Sequence, residues 1–504
     1  MTMRKEMLLR AIACAAVSAA FSARAANTPV STAEELASAL SGASDGATVT
    51  LAGGTYNLAE TLTVTAANVT LLSAGGKAGT IIDGGSQRRI LYVSGGNFKV
   101  EGITFRNARH AGNGGAISYS SSDVSRTTLV KNCDFVDCVA KYGGAIYAGQ
   151  NSYASFEPRE NYGIVSGCTF LRCGIDSGTS DNAGGGGGIC GALWVEDSVF
   201  DACYCTTPNV QEYHLAIDVP SYTTISNCIF RNHTNITRGL VGSKEQREQQ
   251  GCARLVDCLI AGNTASAADD VLFHRKVILD RCVISNNATT VTTALAGLYR
   301  LDASGDRGFS RIASCLFVDN RCPFDIANMP PLLNCTFVRN VGGLACNYTE
   351  SLNFSLTNCV FWSNAAKGDW PYGAAYKGMP GLYWHPNTSL KNLIRVANTV
   401  IEGGGADGDV AEVLAADATG ASARLTAAAA QKGPGFKDAA NGDWSLRKAS
   451  VFVDAGLRYD GIDAAKDLAG HARALKSGAV HPGALPDLGC YEYHSIAGFA
   501  LRFR

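Results

Sequence analysis

Short runs of alternating apolar and polar residues follow one another along most of the chain, separated by glycine and asparagine. Segments such as A-T-V-T-L, L-T-V-T, V-T-L-L and I-L-Y-V have the period of two that is typical of β-strands, and too few residues separate them for helices. Parallel strands of one sheet normally need a long connection. The pattern therefore predicts either hairpins or a coil in which every turn adds one rung.

A repeated phrase, Asn-Cys-x-Phe-x-x-Asn, favours the coil. It occurs as N-C-T-F-V-R-N at 334–340 and as N-C-V-F-W-S-N at 358–364, and variants recur along the chain. The shortest intervals between copies, 20 and 24 residues, fit one rung of a three-faced solenoid, and longer intervals fit a rung with an insertion. The cysteine position, which other residues fill in some copies, falls at 103, 133, 168, 198, 228, 258, 282, 315, 335, 359 and 399.

The repeat also predicts what fills the coil. The cysteine and the Phe or Ile two residues later point to the same side of one strand, and their copies stack about 4.8 Å apart as interior ladders. The Asn three residues after the Phe is expected at a corner, with unusual backbone angles and an amide that bonds to the next rung. We therefore predict an all-β, right-handed parallel β-helix with a short N-terminal capping helix, whose capping box joins Ser31 to Glu34, and a C-terminal closing module.

Two sets of motifs resemble known families. G-N-G-G-A-I at 112–117 and K-Y-G-G-A-I at 141–146 are similar to the GGAI repeats of polymorphic outer membrane protein passenger domains, as are the F-x-x-N phrases to their partner repeat. The segments at 433–446, 451–456 and 487–493 resemble the closing module of secreted bacterial right-handed β-helix proteins of the pectate-lyase-like superfamily. The resemblance spans nearly all of residues 30–494, and it implies an exported, cell-surface or extracellular β-helix.

The first residues have the pattern of a signal peptide, because Arg4 and Lys5 precede an apolar stretch and A-R-A at 23–25 offers small residues for cleavage. No later window is apolar for long enough to form a transmembrane helix. We expect an extracellular or outer-surface protein. Its predicted parts are a signal peptide (1–25), an N-terminal cap (26–55), the β-helix (56–431), the closing module (432–494) and a short tail (495–504).

Charge and cysteine content narrow the function further. A net charge of −1 with 17% charged residues gives no concentrated basic face for nucleic acid. Eighteen cysteines in an exported chain suggest disulfides, but the shared strand position favours buried, mostly reduced thiols. Corner residues Cys138, Cys173 and Cys203 have more freedom to pair. No C-x-x-C or H-x-x-x-H cluster suggests a metal site, so neither metal nor resident cofactor is expected.

One acidic group is a candidate for catalysis. Asp269, Asp270 and His274 lie together in A-D-D-V-L-F-H-R, and two carboxylates beside a base have the composition of a glycosidase site. The alternative is a polar segment that closes a rung. The N-T-D, G-H-G and R-I-K phrases of polygalacturonases do not occur in the chain. Ca²⁺ is expected only if the protein is a lyase that binds a uronate.

An aromatic insert is a candidate for binding, because exposed Trp and Tyr rings stack on sugars. The interval from Cys359 to Thr399 is 40 residues, and the alternative is that its aromatics only pin the insert to the coil. We favour a monomeric, non-enzymatic β-helix that presents loops for adhesion or for binding a polysaccharide or cell-surface glycan. The alternative is a polysaccharide lyase or glycoside hydrolase, by analogy of fold. The aromatic candidates are Trp370, Tyr372, Tyr376, Tyr383 and Trp384.

Overall fold

The structure of the chain is a computed structural model. The predicted signal peptide and the tail 495–504 lie outside the described residues. The described residues run from 27 to 493, without 121–127, 150–155, 177–184, 192, 207–214, 220–221, 235, 237–238, 243–251, 266–271, 275–276, 290–298, 301–310, 322–323, 326–330, 347–353, 366–376, 385–388, 474, 477–478 and 481–484.

Three long parallel sheets form the faces of a coil, which confirms the parallel β-helix prediction. Sheet 1 consists of Asn27–Val30, Thr48–Leu51, Thr70–Ser73, Lys99–Glu101, Leu129–Lys131, Gly163–Ser166, Leu193–Glu196, Thr223–Ser226, Ala253–Val256, Val277–Asp280, Ile312–Ala313, Leu332–Leu333, Phe354–Thr357 and Ile394–Ala397. Sheet 2 consists of Gly54–Asn57, Thr80–Asp83, Thr104–Arg106, Asp134–Val136, Thr169–Leu171, Val199–Asp201, Ile229–Arg231, Leu259–Ala261, Val283–Ser285, Leu316–Val318, Thr336–Val338, Val360–Trp362 and Val400–Ile401. Sheet 3 consists of Leu62–Val64, Leu91–Val93, Ile117–Tyr119, Ile146–Tyr147, Ile189–Cys190, Ile217–Asp218, Val241–Gly242, Phe273–His274 and Tyr299–Arg300.

Shorter elements complete the described chain. Sheet 4 lies between sheets 2 and 3 and consists of Arg109–Asn113, Val139–Tyr142, Gly174–Ile175 and Tyr204–Cys205. Further strands are Thr264–Ala265 with Ala288–Thr289; Phe324–Asp325, Gly343–Cys346, Gly381–Trp384 and Lys377–Met379; Phe436–Asp438 with Asp443–Leu446; and Leu475–Lys476 with Ala479–Val480. The α-helices are Ala33–Ser41, Gly76–Gly79, Gly408–Ala415 and Ala421–Lys432, and the 3₁₀ turns are Arg159–Asn161, Leu390–Asn392, Ala439–Asn441 and Ile462–Ala464. None of the described helices has the length and apolar character that crossing a membrane requires.

Each rung turns at two corners where one residue adopts a left-handed backbone conformation. Asn334 immediately precedes the cysteine position and has φ 53°, and Arg339 has the same φ at the second corner. The predicted corner Asn comes one residue later, so the expectation that it carries the unusual angles is wrong. Asn340 instead turns inward and donates to Oδ1 of Asn364 at 3.0 Å, which confirms the predicted amide contact with the next rung. The left-handed conformation turns the chain so that the side chain of the next residue points into the core.

Stacked side chains fill the interior. Phe105, Phe135, Phe170, Phe200 and Phe230 stack on consecutive rungs, with ring centroids 4.5 to 5.2 Å apart and nearly parallel planes. Because the repeat keeps aromatic rings in one register, each ring meets another over its face at the spacing of the strands. The second-corner asparagines form a buried ladder through Asn263, Asn287, Asn320, Asn340 and Asn364.

The cysteines of the repeat line the same interior. Cys258, for example, is buried, and its thiol lies 3.3 Å from the carbonyl oxygen of Val256, as a donor to it. Burial raises the pKa of the Cys258 thiol well above its usual value, so the thiol stays protonated at neutral pH. The corner residues Cys138, Cys173 and Cys203 form no disulfide. In this position the thiols serve as small apolar groups with a weak donor.

Helices cover both ends of the coil. At the start, Leu36 and Leu40 of the helix Ala33–Ser41 enter the main core. Its N-cap is Thr32, whose hydroxyl accepts from the amide of Glu35, and Glu35 in turn accepts from Ser31. The predicted capping box is therefore wrong by one residue, because Glu35 rather than Glu34 faces the first turn. At the far end, the helix Gly408–Ala415 places apolar side chains in the same core.

The closing module folds back over the outer surface of sheet 2. That surface is apolar in its last rungs, and the module supplies the side chains that bury it in a second core. Asn358 joins the two parts, since it donates to the carbonyl oxygen of Leu457 at 2.9 Å and accepts from the Leu457 amide. The second core contains Val283, Leu316, Val318, Val338, Val360 and Val400 from sheet 2, and Phe436, Trp444, Leu446, Phe452, Leu468 and Leu488 from the module.

A buried cluster of charged side chains fixes the end of the module. Arg473 donates to Oε1 of Glu492 at 2.8 Å and to Oγ of Ser314 on the coil at 3.0 Å. Asp467 and Asp487 are buried beside this pair, and both accept backbone amides of the module. Three carboxyl groups thus share one guanidinium away from water. Desolvation therefore raises the pKa of Asp487 to about 7 and the pKa of Glu492 to about 8.

This cluster predicts that stability falls as the pH rises above neutrality. In the unfolded chain, Asp487 and Glu492 titrate near 3.8 and 4.5, so the folded chain binds their protons more tightly. The resulting stabilisation is complete below the unfolded values and is lost as the pH rises through the folded values. We expect the midpoint of urea unfolding to be lower at about pH 8.5 than at about pH 6.5. The fluorescence of Trp444 serves as the signal for unfolding. Above pH 6.5 His110 and His233, whose pKa values are lowered, no longer affect the comparison. A midpoint that rises over this interval would contradict the prediction.

Candidate functional site

The outer surface of sheet 3 carries polar side chains in one aligned column. Ile117, Ile146, Ile189 and Ile217 point inward, so the residue that follows each of them faces outward. Strand pairing aligns these outward positions from rung to rung as Tyr92, Ser118, Tyr147, Cys190 and Asp218. The register continues through Gly242, His274 and Arg300. Strand pairing therefore places a thiol, a carboxylate and two tyrosines in one line on this sheet.

A thiol and a carboxylate lie side by side near the middle of the column. Sγ of Cys190 is 4.0 Å from Oδ2 of Asp218, and both side chains are buried. Glycine is required at 185, because a Cβ there would lie 2.2 Å from Oδ2 of Asp218. The glycine run before Ile189 thus gives the carboxylate room beside the coil.

The Gly-Gly pairs of the GGAI motifs build the corner that leads into sheet 3. Gly114 and Gly143 have φ values of 60° and 62°, in the left-handed region that favours glycine. At the next residue the backbones of neighbouring rungs almost touch, since a Cβ on Gly115 would lie 2.2 Å from the carbonyl oxygen of Gly144. Only glycine fits both positions. The motif therefore fixes where the strands of sheet 3 begin and which of their residues face outward.

Tyrosines and cations surround this corner. Tyr92, Tyr142 and Tyr147 are all partly exposed, and Tyr92 and Tyr147 lie two rungs apart on either side of Ser118. The guanidinium carbon of Arg89 lies 5.4 Å from the ring centroid of Tyr92, and Nζ of Lys141 lies 5.7 Å from that of Tyr142. We call the surface formed by Tyr92, Tyr142, Tyr147, Arg89, His110 and Lys141 the tyrosine face.

The protonation state of this face follows from its contacts. Nδ1 of His110 lies 2.8 Å from Nη2 of Arg89 and 3.0 Å from the amide nitrogen of Gly112, and both neighbours can only donate. Nδ1 is therefore the acceptor, and Nε2 carries the hydrogen. Burial, and then the charge of Arg89, lower the pKa of His110, so the imidazole is neutral at neutral pH. Burial likewise raises the pKa of Tyr147, whose hydroxyl stays protonated as a donor.

The acidic candidates from the sequence are only partly placed. Asp269 and Asp270 lie outside the described residues. His274 lies in the strand Phe273–His274. Strand pairing aligns it with Gly242 on one neighbouring rung and with Arg300 on the other. Their proposed catalytic role stays a prediction.

The aromatic candidates are divided in the same way. Trp370, Tyr372 and Tyr376 lie outside the described residues, and their role in binding stays a prediction. Tyr383 and Trp384 belong to the strand Gly381–Trp384, with exposures of 8% and 1%. The Trp384 ring is part of the main core, so these two rings have the packing role that the sequence left as the alternative.

The residues of this face also bear on metal binding. Within the described part of the chain, no three His, Cys, Asp or Glu side chains are grouped as a metal ion requires. The outward column brings only Cys190 and Asp218 together there, and a hard cation such as Ca²⁺ prefers several oxygen ligands. The described donors therefore do not make a Ca²⁺ site by themselves.

Known proteins resemble this chain in architecture only. No family model and no curated protein sequence matches it. Among solved structures, the PL6-family alginate lyase AlyGC has a TM-score of 0.42 at 13% identity, over 75% of this chain and 53% of that one. The pectate lyase Pel9A has a TM-score of 0.40 at 12% identity, over 93% and 96%. A mannuronic-acid-specific family 6 lyase from human gut microbiota has a TM-score of 0.35 at 12% identity, over 77% and 90%.

All three neighbours are polysaccharide lyases by name, and all three TM-scores lie below 0.5. The chain spans about half the length of the alginate lyase AlyGC, at 53%. At such low identity no residue of a neighbour is transferred to this chain.

Proposed function

We propose that the chain is an exported or cell-surface β-helix that binds polysaccharide on its tyrosine face, without catalysis. The observation that carries the proposal is the pair Tyr92 and Tyr147, two partly exposed rings on one face, two rungs and therefore about 9.6 Å apart. Aromatic rings offer apolar surface to the faces of sugars, and their hydroxyl groups donate to sugar oxygens. The cations Arg89 and Lys141 beside them add polar contacts.

Export belongs to the same proposal. It is supported by the signal-peptide pattern of residues 1–25 and by the resemblance of residues 112–146 to polymorphic outer membrane protein repeats. Sugar polymers are the ligands that such a surface would meet outside the cell. The aromatic candidates Trp370, Tyr372 and Tyr376 are proposed to bind glycan as well.

Replacing Tyr147 with alanine tests the proposal. We expect affinity for a glycan identified on an array of neutral and uronate-containing glycans to fall about tenfold, since a stacking ring and a hydroxyl donor contribute on the order of 1–2 kcal/mol together. Isothermal titration with that glycan measures the loss, and circular dichroism checks that the variant is folded.

The matched control is Tyr493→Ala. Tyr493 is partly exposed but lies on the closing module, away from sheet 3, so its loss should leave the affinity unchanged. Equal affinities of the Tyr147 variant and the parent would refute binding on the tyrosine face. An equal loss in both variants would point to a general effect on the fold and would also count against it.

A carbohydrate-active enzyme, a polysaccharide lyase or glycoside hydrolase, is the second candidate. It is favoured by the strand register of sheet 3, which brings Asp218, His274 and Arg300 onto one line of positions, because acid–base chemistry uses a carboxylate or imidazole together with a cation that stabilises developing charge. Ca²⁺ belongs only to this candidate. Unsaturated or new reducing-end sugars after incubation with uronate-containing or neutral glycans would establish it over the first, and Asp218→Asn should then abolish their formation.

A further inference from the structure

A second aligned column lies on the outer surface of sheet 1. The residues before and after Trp194, Arg254 and Ile278 belong to the main core, so these three side chains point outward. Strand pairing aligns Arg254 with Ile278, and Arg311 follows on the next rung, because Ile312 pairs with Leu279. In the other direction the register passes through Thr224 to Trp194. Five consecutive rungs therefore present, in order, Trp194, Thr224, Arg254, Ile278 and Arg311.

The two arginines turn toward one carboxylate between them. Nη2 of Arg254 and Nη2 of Arg311 each lie 3.6 Å from Oδ2 of Asp280. The side chains of Arg254 and Arg311 are 40% and 51% exposed, whereas that of Asp280 is 11% exposed. The carboxylate thus lies between two guanidinium groups that both reach solvent.

These contacts differ from the other arginine–aspartate pairs of the coil. Arg281 approaches Asp257 with two N–O distances of 2.7 and 2.9 Å, which are full hydrogen bonds. Arg254 and Arg311 remain at 3.6 Å, beyond the hydrogen-bond range, and neither donates to another described residue. Their forked donors consequently face water, ready for a ligand with paired oxygen atoms.

The local charge is positive. Among the described residues at this place, Arg254, Arg281 and Arg311 lie beside Asp257 and Asp280, which leaves one positive charge in excess. The nearest other ionic group of the column, Glu196 beside Trp194, is already paired with Arg159. An anion above Ile278 therefore meets two cations and no unpaired carboxylate of this column.

We propose that Arg254 and Arg311 form a clamp for the carboxylate or sulfate groups of an acidic polysaccharide. Bidentate guanidinium contacts suit either oxyanion. The partly exposed ring of Trp194, two rungs from Arg254 and about 9.6 Å along the coil, provides a sugar platform on the same line. The clamp lies on a different sheet from the tyrosine face and does not depend on it.

Isothermal titration with three polymers tests the clamp: a polygalacturonate oligosaccharide, a dextran sulfate oligosaccharide and neutral dextran. We expect binding of one or both anionic polymers, weakened by added salt, and none of neutral dextran. Arg254→Gln and Arg311→Gln should each reduce the affinity about tenfold. Asp280→Asn should increase it, because the competing carboxylate charge is removed while the side chain keeps its shape. The opposite result for Asp280→Asn would overturn the proposal.

The matched control is Arg395→Gln. Arg395 is exposed and occupies the same outward position of sheet 1, three rungs beyond Arg311. An equal loss of affinity in this variant would reduce the effect to general charge and overturn the clamp, as would binding of neither anionic polymer. Tyr147→Ala should leave binding at the clamp intact, so failure here and failure of the tyrosine face are distinguishable.

Discussion

At about pH 8.5, where Asp487 and Glu492 are ionised, Arg473→Met is expected to destabilise the protein by about 3–5 kcal/mol, because it leaves buried carboxylates without their counter-ion. The guanidinium is wholly buried and contacts Glu492, the carbonyl oxygen of Gly489 and the coil hydroxyl of Ser314. Methionine restores most of the volume but no charge and no donor. Urea unfolding measures the change in the free energy of unfolding. The signal is the fluorescence of Trp444, which is buried in the second core.

The control for this variant is Arg231→Met. Arg231 also pairs with an aspartate, Asp201, at 2.7 Å, but its side chain is 51% exposed, so its loss should cost no more than about 1 kcal/mol. The double variant Arg473→Met with Glu492→Leu should recover part of the loss, since an apolar pair needs no counter-ion. Equal midpoints for the two single variants would show that the buried cluster does not hold the module in place.

Most of the scaffold could be predicted from the chain because the same local chemistry recurs on every rung. Alternate residues of a strand face the core, and the neighbouring corner fixes which of the two sets does so. Cys335 and Phe337 are therefore buried as expected. The corner itself was misplaced by one residue. Arg339 has none of the usual features of a left-handed residue, and its conformation follows from the inward turn of Asn340 that the ladder requires.

The candidate surfaces were harder to predict because they depend on register between distant segments. Tyr147, Cys190 and Asp218 are separated by insertions of unequal length, and only strand pairing shows that they share a column. A signal did exist in the Gly-Gly pairs at 114–115, 143–144 and 186–187, which precede three of the nine described strands of sheet 3. The inward isoleucine lies three residues after the first glycine of each pair, and the residue after the isoleucine faces outward.

The clamp was missed for the same reason. Arg254 and Arg311 lie more than fifty residues apart in the chain, and neither occurs in a cluster of like charges. The rung lengths between them differ because of insertions, so the spacing of the sequence does not bring them together. Strand pairing, which places the two arginines two rungs apart, and their shared contact with Asp280 bring them together.

Phe170→Asp is expected to unfold the middle of the coil. Phe170 is wholly buried, with Phe135 and Phe200 stacked 5.0 and 4.5 Å away on either side. Loss of the ring costs about 3–5 kcal/mol, and an unpaired carboxylate in the core costs several kcal/mol more, which together approach the whole stability of a typical domain. We expect little soluble protein, or loss of the cooperative urea transition followed by circular dichroism.

Leu171→Asp separates this effect from a general intolerance of charge in the strand. Leu171 is the next residue, faces outward and is partly exposed, so an aspartate there remains in contact with water. The chain already contains such a residue, because Asp134 lies outward beside buried Phe135 and pairs with Lys77 at 2.7 Å. The two substitutions therefore differ only in the side of the sheet that receives the charge. If both variants unfolded alike, the inward position of the repeated Phe could not be what closes the coil.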